Sequence, residues 1–237
     1  MSFDIDTVDV VSRTCVCCKQ PITRENTFTE LGRKEATITS MCEVCFDYNT
    51  LYYPEVDPDF SKGFEVFSLC SKDVFIAGGV FRKMVDVSDE VMDIDMFFTN
   101  FSSASKVMTW LEGNGYVKIF ECPLGELYTY SKEGQPKVQL ITKFYYVNVD
   151  ELVSTFDFTA CCAGYDGEKF VCNKRFYSDV LNKRIHFNAI TYPVATLNRL
   201  TKYIRKGYYL PSSQNLHFIE TLNSMELNED NMVYYID

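Results

Sequence analysis

The chain has no run of roughly 18 consecutive apolar residues, the length a membrane-spanning helix needs, and its start, MSFDIDTVDV, is too acidic for a secretory leader. A soluble, intracellular, cytoplasmic protein with no membrane partner is therefore expected. Basic residues are in deficit: 23 Lys and Arg face 33 Asp and Glu, a net charge of -10, which argues against generic nucleic-acid binding. Histidine occurs only at His186 and His217, and no serine or cysteine pattern around either marks a nucleophile and its base. Both are expected to be structural. Internal repeats and low-complexity tracts are absent.

What remains is a chain able to build a core. Its 237 residues are 46% hydrophobic and 15% aromatic, which suits one sizeable domain with an appendage. Three regions are expected. Residues 1–62 are polar, carry five cysteines and end in the breaker-rich YYPEVDPDFSKG. Residues 63–171 mix strand-like and helix-like segments in an α+β pattern with a mixed sheet. Residues 172–237 begin basic and helical and end acidic. From Cys172 to Lys206 there are eight Lys or Arg against one Asp, so contact with a polyanion would concentrate there.

The middle region predicts strands at 73–77 and 92–98, with a helix at 79–86 between them. A helix over 102–113 follows, capped by Ser102 or Ser103 and closed by Gly113. Strands are predicted at 116–120, 126–130 and 137–141, then a short helix near 149–154. Period-two alternation makes FDFTACC, 156–162, a further strand candidate.

The front cysteines carry metal-ligand spacing. Cys15 and Cys18 form one C-x2-C pair and Cys42 and Cys45 a second, 23 residues on. Two such pairs fit a closed, tetrahedral, structural Zn²⁺ site on which a short polar region can fold. Cys17, beside Cys18, is an alternative ligand. Cys70, Cys122, Cys161, Cys162 and Cys172 have no such spacing and are expected to be core thiols.

The densest chemistry lies in FIAGGVFRKMVDVSDEVMDIDMFF, residues 75–98. On a strand, Asp93 and Asp95 project to the same face, leaving Ile94, Met96 and Phe98 to divide between core and sheet surface. Two carboxylates held together call for a cation, and Mg²⁺ (or Mn²⁺) accepts carboxylate and phosphate oxygens at once. Gly78 and Gly79 let backbone amides approach a phosphate at the start of the following helix.

These residues resemble a known signature. GGVFRK…DIDMFF is similar to the nucleotidyltransferase motif of the DNA polymerase β superfamily, nearest to the head domain of class II CCA-adding enzymes and bacterial poly(A) polymerases. Gly78, Gly79 and Arg82 stand at the matching places of GG-x-V-R-D, and Asp93 and Asp95 match the metal-binding aspartates. FDFTACCAGYDG resembles the family's second block, with Asp157, Phe158 and Thr159 aligned. VATLNRLTKYIRKGYYLP resembles the helix that follows the head domain. The likeness covers about residues 73–210 and extends to small phage and viral nucleotidyltransferases of unassigned acceptor, some with a zinc knuckle in front. For a viral chain the expected compartment is the host cytoplasm. Lys83 stands where the family has aspartate, and Thr155 and Phe156 where it has two arginines.

The resemblance implies transfer of NMP from an NTP to an acceptor hydroxyl, with release of pyrophosphate. The acceptor is open: tRNA or another RNA 3′ end, a protein or a small molecule. It implies Mg²⁺ on Asp93 and Asp95, and a triphosphate cradled by Gly78 and Gly79. Arg82 would brace the turn or touch phosphate. Asp157 would be either a third carboxylate near the metal or a ribose-binding acid. Arg199, Lys202, Arg205 and Lys206 are candidate acceptor contacts, beside tyrosines able to stack bases. The rival reading is a non-catalytic module, a zinc knuckle joined to a degenerate head.

Overall fold

The computed structural model describes residues 51–54 and 63–224, together with four two-residue strands between residues 13 and 34. The chain divides into two compact units, Met1–Thr50 and Leu51–Asp237. In the first, β1 (Arg13–Thr14) pairs antiparallel with β2 (Pro21–Ile22), and β3 (Thr29–Glu30) with β4 (Arg33–Lys34). Cys15, Cys18, Cys42 and Cys45 lie outside the described residues, as does most of the expected linker.

The division falls after Thr50 rather than near residue 62, because β5 (Leu51–Tyr52) is a strand of the second unit. It pairs antiparallel with β12 (Phe170–Asn173), setting Tyr52 opposite Cys172. Nor do residues 172–224 form a third unit, since Phe176, Val180, Leu200 and Tyr203 belong to the same core as the sheet.

That sheet has eight strands in the order β5-β12-β11-β6-β7-β10-β9-β8. The members not yet placed are β6 (Val74–Ala77), β7 (Asp93–Phe98), β8 (Val117–Glu121), β9 (Leu127–Ser131), β10 (Lys137–Tyr145) and β11 (Ala163–Tyr165). Only β7 and β10 run parallel; the other pairs are antiparallel. The α+β class and mixed sheet expected from the sequence are thus present.

Period two explains the layers. Val74 and Ile76 of β6, Ile94, Met96 and Phe98 of β7, and Val138 and Leu140 of β10 face one core. Helix α1 (Phe101–Gly113) covers it with Ala104, Val107 and Leu111. The three even-numbered β7 residues therefore all enter this core, instead of dividing between core and surface. The opposite parity, Phe75, Ala77 and Phe97, packs under α2 (Val149–Ser154) through Val149, Leu152 and Val153.

Two local expectations are corrected. Asn100, not Ser102 or Ser103, caps α1, its side-chain oxygen accepting from the Ser103 amide at 3.0 Å. The segment 156–162 is not a strand. Thr159–Cys161 is a 3-10 turn, closed by the Cys161 amide donating to Phe158 and the Cys162 amide to Thr159. Alternation fails there because Asp157, Phe158, Thr159 and Ala160 are all buried. Three helices complete the unit: α3 (Phe176–Leu181), α4 (Pro193–Arg205) and α5 (Ser212–Ser224). Among the described residues, no helix is long and apolar enough to cross a membrane.

Candidate functional site

The site forms where β6 leaves the sheet and β7 enters it. Ala77 pairs with Asp95, so the chain exits β6 directly beside the carboxylates. Gly78 makes the exit at φ 89°, ψ -137°, a conformation essentially reserved for glycine. Its amide donates to the Ala163 carbonyl at 2.8 Å. A Cβ there would stand 3.6 Å from Asp95 Oδ2 and 3.6 Å from Cε1 of Phe156. The next residues form a six-residue 3-10 helix, Gly79–Met84, in place of the expected helix at 79–86. So short a turn has little dipole, and its attraction for an anion reduces to individual backbone amides.

Asp93 and Asp95 are half-buried and project from the same face of β7, the side that also carries Phe97. Their neighbours on β10 went unnoticed in the sequence. Parallel pairing sets Lys137 beside Asp93 and Gln139 beside Asp95, and paired residues share a face. The carboxylates are thus bordered by glycine backbone on one side and by a lysine and an amide on the other. Nothing local in KVQLI marks this, because register is set 44 residues from Asp93.

Arg82 is buried. Its Nε donates to Asp89 Oδ2 at 2.6 Å and its Nη1 to the Tyr203 hydroxyl at 2.6 Å. The guanidinium lies over the Tyr203 ring, 5.2 Å from its centroid, and so near Gly79 that a Cβ would come within 2.8 Å of Nη1. Arg82 is placed to brace the turn. Cys161 Sγ also lies 2.6 Å from the Tyr203 hydroxyl, and burial pushes the titration of both groups up.

Asp157 is buried and ion-paired with Arg199 of α4. Its carbonyl accepts from the Asn188 amide at 2.7 Å. Asn188 Nδ2 donates to the Phe156 carbonyl at 2.9 Å, and the Thr159 hydroxyl donates to Asp179 at 2.5 Å. His186 Nδ1 meets the same Asp179 oxygen at 2.9 Å, a structural use of the histidine. Among the described residues, no group of three or more His, Cys, Asp or Glu side chains is placed to hold a metal ion. Asp157 is therefore not gathered with Asp93 and Asp95 into a three-carboxylate cluster.

The four basic candidates separate. Arg199 reaches inward to Asp157, while Lys202, Arg205 and Lys206 are exposed. Lys202 and Lys206 share a flank of α4 with Arg199, and Arg205 falls outside that row.

Comparison with known proteins adds the relationship. Two solved CCA-adding enzyme structures, an apo form and a complex with CTP, each superpose with a TM-score of 0.50 at 14% identity. Each match covers 71% of this chain, with 43% and 44% of the respective enzymes. At that identity the likeness establishes the fold, a nucleotidyltransferase fold. Gabija anti-defense 2 of Bacillus phage SPbetaL7 is 24% identical over 166 residues, 69% of this chain and 40% of that protein. The chain thus spans well under half the length of this relative. The model of the Gabija anti-defense 2 family matches residues 41–183, more than half of the sequence. The chain belongs to the Gabija anti-defense 2 family.

Proposed function

We propose that the protein is a metal-dependent nucleotidyltransferase that acts against Gabija defence by moving NMP from an NTP to an acceptor hydroxyl. The observation that carries the reading is the packing of Gly78 backbone against Asp95, with Asp93 on the same face. The donor set fits Mg²⁺ or Mn²⁺: two hard carboxylates, half-buried, with no third acid gathered beside them among the described residues, suit an ion that keeps places for phosphate oxygens and water. When bound, such an ion supplies charge neutralisation at the phosphoryl oxygens.

The chain's own residues do the rest by positioning. Gly78 and Gly79 present bare backbone beside Asp95 for a triphosphate to approach, and Arg82, packed against Gly79, holds that turn against α4. Asp157, locked to Arg199, fixes the loop on the other flank. The acceptor oxygen bonds to the α-phosphorus as the bond from that phosphorus to the α–β bridging oxygen breaks; pyrophosphate leaves with the bridging oxygen, and the acceptor's proton passes to solvent. The acceptor is an RNA 3′ end (tRNA included), a protein hydroxyl or a small molecule.

A second reading, a non-catalytic module, draws on Phe156. Its ring lies 3.6 Å from the Gly78 Cβ position, where the resembling enzymes carry an arginine. One experiment separates the two. Wild type and Asp95→Ala are incubated with each labelled NTP and Mg²⁺, with whole-cell RNA and with protein extract, and both are expressed in Gabija-bearing cells challenged with phage. Labelling and phage rescue by wild type alone are expected. Undiminished transfer by a folded Asp95→Ala protein ends the enzyme reading, and phage rescue without transfer by both proteins establishes the binding module. We further propose that Cys15, Cys18, Cys42 and Cys45 hold one structural Zn²⁺. Elemental analysis of protein purified without added metal is expected to find it, and zinc-free protein would remove the site.

A further inference from the structure

Arg199, Lys202, Tyr203 and Lys206 fall along one side of α4, at spacings of three, four and seven residues. Two of them are anchors. Arg199 holds Asp157, and Tyr203 accepts from Arg82 at 2.6 Å. The first fastens α4 to the loop after α2, the second to the turn after Gly79. Because both anchors come from one side of a rigid helix, the positions of the lysines between and beyond them are fixed as well.

Lys206 lies one turn beyond Arg82's partner. Its amide closes the end of α4, donating to the Tyr203 carbonyl at 3.0 Å and the Lys202 carbonyl at 3.2 Å. The charges of Arg82, Asp89, Lys202 and Asp93 all reach its ammonium. Arg82 and Asp89 follow the glycine turn and Asp93 opens β7, and Tyr203 ties this end of α4 to Arg82, so Lys206 stands at the phosphate side of the site. Lys202 is one turn back on the same flank. Neither lysine forms an ion pair with a described residue, although Asp89 is spoken for by Arg82 and Asp157 by Arg199.

A triphosphate carries more negative charge than one divalent ion neutralises. The six-residue 3-10 helix after Gly78 adds little dipole. Further positive charge must come from side chains, and lysine serves phosphate as a mobile point charge. We infer that Lys202 and Lys206 bind the polyphosphate of the incoming nucleotide, so that this flank of α4 serves the NTP and not an RNA acceptor. The inference rests on the nucleotidyltransferase reading and assigns the cations of its substrate site. Partial desolvation, then repulsion from Arg82, holds the Lys206 ammonium below the usual lysine range.

The test uses inorganic tripolyphosphate with Mg²⁺ as a base-independent probe, and ATP, CTP, GTP and UTP in turn. Binding is read by calorimetry, and KM and kcat from NTP-dependent transfer. Loss of a charge-assisted phosphate contact weakens binding by roughly tenfold to a hundredfold. Lys206→Ala and Lys202→Ala are expected to raise KM and weaken tripolyphosphate binding by that factor, with kcat changing less. Lys206→Arg is expected to recover part of the loss, and Lys106→Ala, on the exposed face of α1, to change nothing. Tripolyphosphate binding and KM unchanged in the Lys202→Ala, Lys206→Ala double variant would overturn the inference, as would loss of RNA affinity alone. In either case the proposed activity stands if Asp95→Ala still abolishes transfer. No binding of tripolyphosphate or any NTP by wild type overturns both.

Discussion

Arg82 and Tyr203 meet across 121 positions of the chain in a buried hydrogen bond of 2.6 Å. The bond joins the glycine turn that adjoins the carboxylates to the helix that carries the basic row. The tyrosine ring is itself fixed, edge-on to Phe158 at 5.4 Å and to Tyr208 at 5.2 Å between centroids. Strand end, turn and α4 therefore behave as one assembly.

Tyr203→Phe keeps those ring contacts and removes only the hydroxyl. Arg82 Nη1 then loses an acceptor inside the protein, a loss of about 1–3 kcal/mol. Urea denaturation is expected to show a lower midpoint with an unchanged slope. A midpoint equal to that of wild type would show that the bond does not hold α4 in place.

The two glycines should respond differently. At Gly78 an alanine has room, its nearest neighbours being 3.6 Å away, but φ 89° is strained for any L side chain. Gly78→Ala is expected to destabilise by about 1–3 kcal/mol. At Gly79 the obstacle is Arg82 Nη1, 2.8 Å from the new Cβ. That guanidinium cannot swing aside cheaply, because Asp89 and Tyr203 each hold it at 2.6 Å. Gly79→Ala and Tyr203→Phe therefore act on one group, and their combined effect should fall short of the sum by about 0.5 kcal/mol or more. Strict additivity would refute the shared contact.

These relationships mark the limit of what the sequence discloses. Strands β6 and β7 were legible because VFIA is a buried apolar run ended by glycines, and because Asp93 and Asp95 keep the parity of a strand. Helix α2 falls where a short helix near 149–154 was expected, whereas its cap, Asn148, is supplied by the structure. The partners of the site residues were not. Arg199 reads as a surface cation until α4 is laid against Asp157, 42 residues earlier. Segment 156–162 alternates like a strand, yet its pairing with residues 186–188 draws the Thr159 amide to the His186 carbonyl and the Asn188 amide to Asp157. Local pattern reports periodicity, whereas these bonds depend on which distant segment arrives.

A salt bridge at the rim makes a pH prediction. Lys183 Nζ lies 2.6 Å from Asp86 Oδ2, and that bond, with Ser88 donating from its hydroxyl and amide, lowers the Asp86 carboxyl from 3.8 to about 2. A depressed folded-state value means stability that is present above the unfolded value and lost as pH falls through the folded one. Asp86→Asn should therefore melt below wild type at pH 5, with the gap closing between pH 4 and 2. A gap that persists at pH 2 would assign the effect to something other than this charge.

The Asp157–Arg199 pair separates a purely positioning role for Asp157 from direct contact with metal or ribose. The carboxylate side chain is 8% exposed and the guanidinium 33%, so the partners are not equivalent. Asp157→Ala leaves an arginine that can turn toward water. Arg199→Ala leaves a carboxylate that cannot, and should be the more destabilising. About 2–3 kcal/mol is expected, below the cost of breaking a fully buried pair because Arg199 retains water access. Activity then discriminates. If Asp157 acts only by locking its loop to α4, both variants should lose transfer by similar factors, and Asp157→Asn, able to accept from Arg199, should recover part of it. If Asp157 itself touches metal or ribose, Asp157→Ala should fall far below Arg199→Ala at equal stability. Transfer rates for the three variants, each measured well below its melting temperature, decide between them, and wild-type rates in all three would remove Asp157 from the site.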